Sequence, residues 1–177
     1  VRAETMNWFV PGDVKLTGPA VDEAKVRAYV EKALALAESF GVRVIVFGSP
    51  AARSIPDGFP REQAWQQLVA FLRTCDDVIA AHRYGITIGI EALRKPESNV
   101  VNSVPEAVEL ARAVARPSVR IIVDFYHLTF EHEDPDVVRA AKDWIVHVQI
   151  ADPEVRGFPR SAASEPRYAQ FFAALHA

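Results

Sequence analysis

The chain has 177 residues, about one domain's worth. It carries 20 Lys and Arg against 23 Asp and Glu, a formal charge of -3, which argues against a duplex nucleic-acid binder with a basic face. Hydrophobic residues make up 50% and charged residues 24%, the balance of a soluble globular protein, and no apolar run approaches the roughly 20 residues that span a bilayer.

Cys75 is the one cysteine, so no intramolecular disulfide forms. Val1 opens no charged-then-apolar signal segment. Together these set the expectation of a reducing, cytoplasmic compartment.

Five short β-rich runs lie at about 3–8, 43–48, 86–91, 119–124 and 145–150. They are nearly continuous in apolar residues, the pattern of strands buried on both faces of a parallel sheet. Each is followed by a helical pattern. Residues 22–40 place Val26, Val30, Ala33, Ala37 and Phe40 on one face, with Gly41 as the stop. Residues 61–83 group Trp65, Leu68, Val69, Leu72 and Ile79 before Gly85. Ser103 and Glu106 read as a capping box, with Pro105 in the first turn and Pro117 beyond the end. Asp134-Pro135 opens a short helix to about 143. Ser164-Glu165-Pro166 opens the last, with Tyr168, Phe171, Phe172 and Leu175 as its stripe.

Five consecutive βα units in one domain, 1–177, imply an α/β fold with right-handed crossovers. A small doubly wound sheet and part of a (β/α)8 TIM barrel, which needs about 250 residues when complete, both accept five units. Composition and periodicity leave the two open. The longest irregular stretches, 9–20, 49–60, 92–102 and 151–163, all follow strands, where both folds place ligand-binding loops.

Three strands carry a metal-ligand type of side chain at or near their carboxyl ends: Glu91, Asp124 and His147. A carboxylate inside an apolar strand is costly unless paired or bound to a cation. Singly, each reads as an isolated polar residue capping a strand; at equivalent positions on three neighbouring strands they point to one divalent ion such as Mn²⁺, Mg²⁺, Co²⁺ or Zn²⁺.

The segments VIVFGSP (44–50), GIEALRKPESNVVNS (89–103), VDFYHL (123–128) and HVQIADP (147–153) resemble the xylose isomerase-like TIM-barrel superfamily. The closer likeness is to its sugar phosphate isomerase/epimerase branch, with ketose 3-epimerases, hydroxypyruvate isomerase and inosose dehydratase. The resemblance implies one metal ion, Mn²⁺ by family, held by Glu91, Asp124, His147 and a second Glu on the last strand that has no counterpart here. It implies a sugar or sugar-phosphate substrate isomerised or epimerised by proton transfer next to its carbonyl through an enediolate. Glu91 is then ligand and acid/base, and His127, Glu97 and Arg156 contact substrate.

In that register the five strands match barrel strands two to six. The barrel is therefore expected to be incomplete, a fragment lacking strands one, seven and eight. Without the last-strand Glu the chain alone is expected to be inactive, and with unpaired sheet edges to be less stable than its parent or to associate as a homo-oligomer. Gln149 and Arg94 depart from commoner family residues and alter the pocket. Trp8 and Phe9 are candidates for its wall or, equally, for the core, and Arg53 and Arg156 for a phosphate contact. His82, His132 and His176 carry no assigned role, and Cys75 is read as packing. Two other functions compete: a non-catalytic barrel scaffold, and an endonuclease IV-like phosphodiesterase, which the lack of extra histidines and of a basic surface opposes. A nucleotide binder lacks its glycine-rich turn. Neither a nucleic-acid nor a membrane partner is expected.

Overall fold

The computed structural model describes residues 2–159 and 166–176. Five strands form one sheet: β1 (Thr5–Met6), β2 (Val44–Phe47), β3 (Thr87–Glu91), β4 (Val119–Asp124) and β5 (Ile145–Gln149). Between them lie α1 (Glu23–Ser39), the one-turn α2 (Pro50–Arg53), α3 (Arg61–His82), α4 (Val104–Val114), α5 (Phe125–Phe130) and α6 (Asp136–Ala140), then a 3-10 turn at Lys142–Trp144. Helix α7 (Arg167–His176) follows β5. The expected start of that helix at Ser164-Glu165 lies outside the described residues. No helix among the described residues is long and apolar enough to cross a membrane.

Strand order equals chain order, and every neighbouring pair is parallel. A doubly wound sheet would reverse its order at a switch point, and this one does not. Gln149 at the end of β5 donates a hydrogen bond of 3.0 Å to Oδ1 of Asn7, just past β1. In a flat sheet those two edges stand four strand spacings apart, roughly 19 Å. The sheet is therefore curled, and the barrel wall prevails over the doubly wound alternative.

The curl gives the sheet two different faces. Ile45, Phe47, Ile88, Ile90, Val119, Ile121 and Val123 point to the helices and form the core with Val30, Leu34, Leu68, Leu72 and Leu110. The alternate residues point into the concave side. In register across the strands these are Val46 beside Gly89, then Glu91 beside Ile122 beside His147, then Asp124 beside Gln149.

The pairing of β4 with β5 shifts by one residue between Ile121 and Ile122. Ile145 and Val148 both pack on the helix side, so two residues, Val146 and His147, lie between them where one would fit a regular strand. This β-bulge turns His147 and Gln149 to the concave side. Without it, alternation would send His147 toward the helices.

Local details differ from expectation where tertiary contacts intervene. The first strand keeps only two residues, because the chain enters the left-handed region at Trp8 (φ 58°). On α1 the buried stripe is Val26, Val30, Leu34 and Ala37, spaced to meet α3, and Phe40 stays 46% exposed. The capping box at α4 is half formed. Ser103 accepts from the Glu106 N–H, but Glu106 reaches back to the Asn102 N–H, and Glu133 caps Val104. On α7 the buried residues are Tyr168, Phe171 and Ala174, while Phe172 is exposed. Cys75 is fully buried, as expected of packing.

Leu34→Ala should lower unfolding stability by about 2–5 kcal/mol in chemical denaturation, whereas Leu36→Ala, on the exposed side of the same helix, should stay within about 0.5 kcal/mol. Equal losses would refute the rotated stripe.

Candidate metal and substrate site

The carboxyl ends of the curled strands converge on a cleft of about 450 Å³. Glu91, Asp124, Glu97 and Arg156 line it, with Asn7, Trp8, Val46, Gly48, Ser49, Pro50, Leu93 and Gln149.

Glu91 ends β3 on the concave side and is buried. Gly48 makes room for it: a Cβ at Gly48 would collide with Glu91 Oε2. Burial, and then the neighbouring Asp124 carboxylate, raise the Glu91 carboxyl to about 7 despite the opposing pull of Arg53 and Arg156. Asp124 ends β4 and caps α5, accepting the Tyr126 N–H at 2.8 Å. Burial raises its carboxyl to about 6, against that backbone hydrogen bond and Arg156.

His127, in the first turn of α5, is the third member of the group. Its Nε2 lies 3.7 Å from Glu91 Oε1 and 3.8 Å from Asp124 Oδ2. The ligand atoms of Glu91, Asp124 and His127 all lie within 4.8 Å of one another. Burial lowers His127 to about 4, so its ring is neutral at neutral pH. The Arg94 backbone N–H donates to Nδ1 at 3.3 Å, and the Arg156 guanidinium faces Nε2 at 3.4 Å. A neutral imidazole accepts at one nitrogen only. The backbone N–H is fixed and the half-exposed Arg156 side chain can turn, so the favoured tautomer accepts at Nδ1 and carries its proton on Nε2. His127 then offers the cleft an N–H donor rather than a lone pair.

His147 is half-buried on β5 and stands outside that close group and outside the cleft lining. It shares the concave face and one lateral row with Glu91, with Ile122 between them. Burial lowers its pKa, which favours the neutral form.

The loops bring three more charges together. Glu97 Oε1 accepts from Arg94 Nε at 2.6 Å and from Arg156 Nη1 at 2.6 Å. Burial alone would raise Glu97, but the two guanidiniums overcome it and hold the carboxyl below its ordinary value. Both guanidinium carbons also lie over the Tyr126 ring, at 5.2 Å and 4.8 Å from its centroid.

Trp8 presents an indole 91% exposed at the cleft, whereas Phe9 is buried in the core and forms no wall. Arg53 is fully buried and is no phosphate contact. Its guanidinium donates to the Phe47 and Val101 carbonyls and packs on the Phe47 ring. Burial lowers it to about 10, which leaves it charged behind Glu91. Gly48 escaped sequence reasoning, and so did the buried place of Arg53 behind Glu91. Glycine closing an apolar strand was the one visible signal for Gly48; the burial of Arg53 had none.

Comparison with known proteins bears on the family and the fold. Residues 7–177 match the family described as xylose isomerase-like TIM barrel. A Streptomyces coelicolor protein provisionally named hydroxypyruvate isomerase is 31% identical over 176 residues, covering 90% of this chain and 60% of that protein. The L-ribulose 3-epimerase of a Methylomonas species is 31% identical over 169 residues, covering 92% of this chain and 55% of that protein. The crystal structure of D-allulose 3-epimerase from Methylomonas in complex with D-allulose superposes with a TM-score of 0.77 at 24% identity, over 96% of this chain and 58% of that one. The chain thus spans little more than half the length of these relatives. It belongs to the xylose isomerase-like TIM-barrel family.

Proposed function

We propose that residues 1–177 form one barrel domain that carries most of the active site of a metal-dependent sugar isomerase or epimerase. The observation that carries this reading is the convergence of the Glu91 and Asp124 carboxylates with His127 within 4.8 Å at the ends of neighbouring parallel strands, with His147 in the same concave row as Glu91. Carboxylates raised by burial, and in Glu91 also by the neighbouring Asp124, favour a cation between them. The donor set fits a divalent ion, Mn²⁺ first, with Glu91, Asp124 and His147 as its ligands. When bound, such an ion supplies Lewis-acid polarisation of a substrate carbonyl.

The chain's own residues do the rest. Glu91 takes the proton from the carbon next to the carbonyl, leaving an enediolate, and its carboxyl then holds that proton until it is returned. His127 donates its Nε2 proton to a substrate oxygen. Glu97 accepts from a hydroxyl group, and Arg156 closes that end of the cleft. The names of the relatives support a small carbonyl sugar or hydroxy-acid substrate. One carboxylate–histidine group is found among the described residues, which speaks for one metal rather than the several of an endonuclease IV-like enzyme.

A calorimetric titration of Mn²⁺ into the chain tests the site. Asp124→Asn and His147→Ala should each weaken binding by at least about tenfold, whereas His127→Ala should leave it within about threefold. Loss on His127→Ala with none on His147→Ala would make His127 the ligand. No binding by the folded chain would favour the scaffold reading.

Metal-free stability should carry the sign of the raised carboxyl. A folded-state value near 7 against an ordinary 4.5 means that the folded chain holds a proton the unfolded chain has released. That contribution is complete below about pH 4.5 and is lost as pH rises through 7. The stability advantage of Glu91→Gln over the parent should therefore grow between those limits in urea melts. An advantage independent of pH would show that Glu91 is not held in this way.

A further inference from the structure

The loop between β3 and α4, residues 92–103, carries Glu97 on the rim of the cleft and Arg94 bonded to it. Two carboxylates from outside the cleft grip this loop. They come from the turn after α5, the helix that Asp124 caps and that bears His127. Glu131 accepts the Lys95 N–H at 2.8 Å and pairs with the Lys95 ammonium at 3.1 Å. Glu133 straddles the Val104 N–H with both oxygens, at 2.9 Å and 3.3 Å. Val104 opens α4, so its N–H has no acceptor inside the helix. Val104 is also buried, so Glu133 serves where water does not reach. One carboxylate thus holds the loop near its start and the other at its end.

The turn that bears them is itself tied to α5. The Glu131 N–H donates to the His127 carbonyl and the Glu133 N–H to the Leu128 carbonyl, both at 3.0 Å. His132 between them lies in the left-handed region (φ 56°). On the other side, the Arg94 N–H reaches His127 Nδ1 at 3.3 Å. The Arg94 guanidinium lies over Tyr126 and Phe130 of α5, 5.2 Å and 4.7 Å from the ring centroids. His127, the turn, Lys95 and Arg94 therefore close a ring of contacts. A closed ring resists displacements that any single hydrogen bond would permit, and it fixes the groups it supports.

We propose that Glu131 and Glu133 are positioning residues, a two-carboxylate clasp that holds the β3–α4 loop, and with it Arg94 and Glu97, in register with His127 and Asp124. Neither touches substrate. This role rests on the reading of the cleft as a sugar site and adds the device that sets its rim. The two carboxylates differ in their surroundings. Burial would raise Glu131, but the Lys95 N–H and ammonium hold it below its ordinary value. Glu133 faces Glu131 from its own turn and Glu106, bonded to Arg61, from α4. Arg167 of α7 and His132 line a small cleft with it. Burial raises the Glu133 carboxyl to about 7, against the Val104 N–H and with the help of the two neighbouring carboxylates. A protonated carboxyl is a weaker acceptor than a carboxylate. The Glu133 half of the clasp therefore loosens as pH falls through 7, while the Glu131 half holds.

Residue-resolved amide exchange on the whole chain tests the clasp. In Glu131→Ala and in Glu133→Ala the Arg94, Glu97 and Ser98 amides should exchange at least about tenfold faster than in the parent, after correction for global stability. The Val30 and Leu34 amides of α1 should not. Glu133→Gln keeps a carbonyl acceptor and should recover most of the protection. A merely structural role would accelerate α1 and the loop alike; that outcome, or no acceleration, overturns the clasp. The Val104 amide proton should move upfield as pH falls through 7 in the parent and stay flat in Glu133→Gln. A flat response in the parent overturns the part given to Glu133. By calorimetry both alanine variants should bind Mn²⁺ within about threefold of the parent, and D-allulose in its presence about tenfold more weakly. An unchanged sugar affinity, or an equal loss for ion and sugar, overturns the positioning role. If the parent itself binds no sugar, the reading of the cleft fails, and the exchange measurement still decides whether the clasp holds the loop.

Discussion

Two carboxylates buried side by side, Glu91 and Asp124, set the terms for the surrounding structure. Each is raised by burial, and Glu91 also by its neighbour. The fold opposes that cost from several directions. Arg53, fully buried behind β2, supplies a positive charge that never reaches solvent and is itself held by two backbone carbonyls. The first turn of α5 gives Asp124 a backbone donor. Gly48 gives Glu91 space that any other residue would fill. The compensation is partial, since both carboxyls remain above their ordinary values, and this is what makes the site a receptor for a cation in the proposed reading.

The curled sheet makes the convergence geometrical. Parallel strands in sequential order bring their carboxyl ends to one rim, and alternation sends every second side chain inward. That rule alone would turn His147 the wrong way. The bulge at Val146 corrects the parity, so that Glu91, Ile122 and His147 share a row and Asp124 and Gln149 the row above. A single extra residue thus decides which chemistry the last described strand contributes to the cleft.

The loops around the rim are strained where they carry the site. Trp8, Ser49, Val101 and Arg156 all adopt left-handed backbone without being glycine, at about 1–2 kcal/mol each. Three of them, Ser49, Val101 and Arg156, are held by neighbours. Ser49 Oγ takes the Val10 N–H, the Val101 carbonyl takes the Leu93 N–H and Arg53, and the Arg156 N–H bonds to the Asp152 carbonyl. Strain of this kind persists where surrounding contacts outweigh it, and it gathers at binding sites. Arg94, Glu97 and Arg156 complete the rim as one ion cluster on the Tyr126 ring.

Much of this was legible in the chain itself. Apolar runs alternating with amphipathic stretches determined five βα units, because burial on two faces and on one face leave different periods in the sequence. A carboxylate closing each of two apolar strands determined where the chemistry gathers, because an ionised group in such a run needs a partner. Tertiary structure alone decided the rest. The choice of a barrel wall over a doubly wound sheet depended on strand order and on a hydrogen bond between residues 142 positions apart. The burial of Arg53 depended on its reach from the end of α2 to the Phe47 and Val101 carbonyls, and the bulge before His147 on register against β4. The seating of His127 beside both carboxylates depended on α5 starting directly at Asp124. All but the last are relations between distant segments, and no local pattern of side chains encodes them.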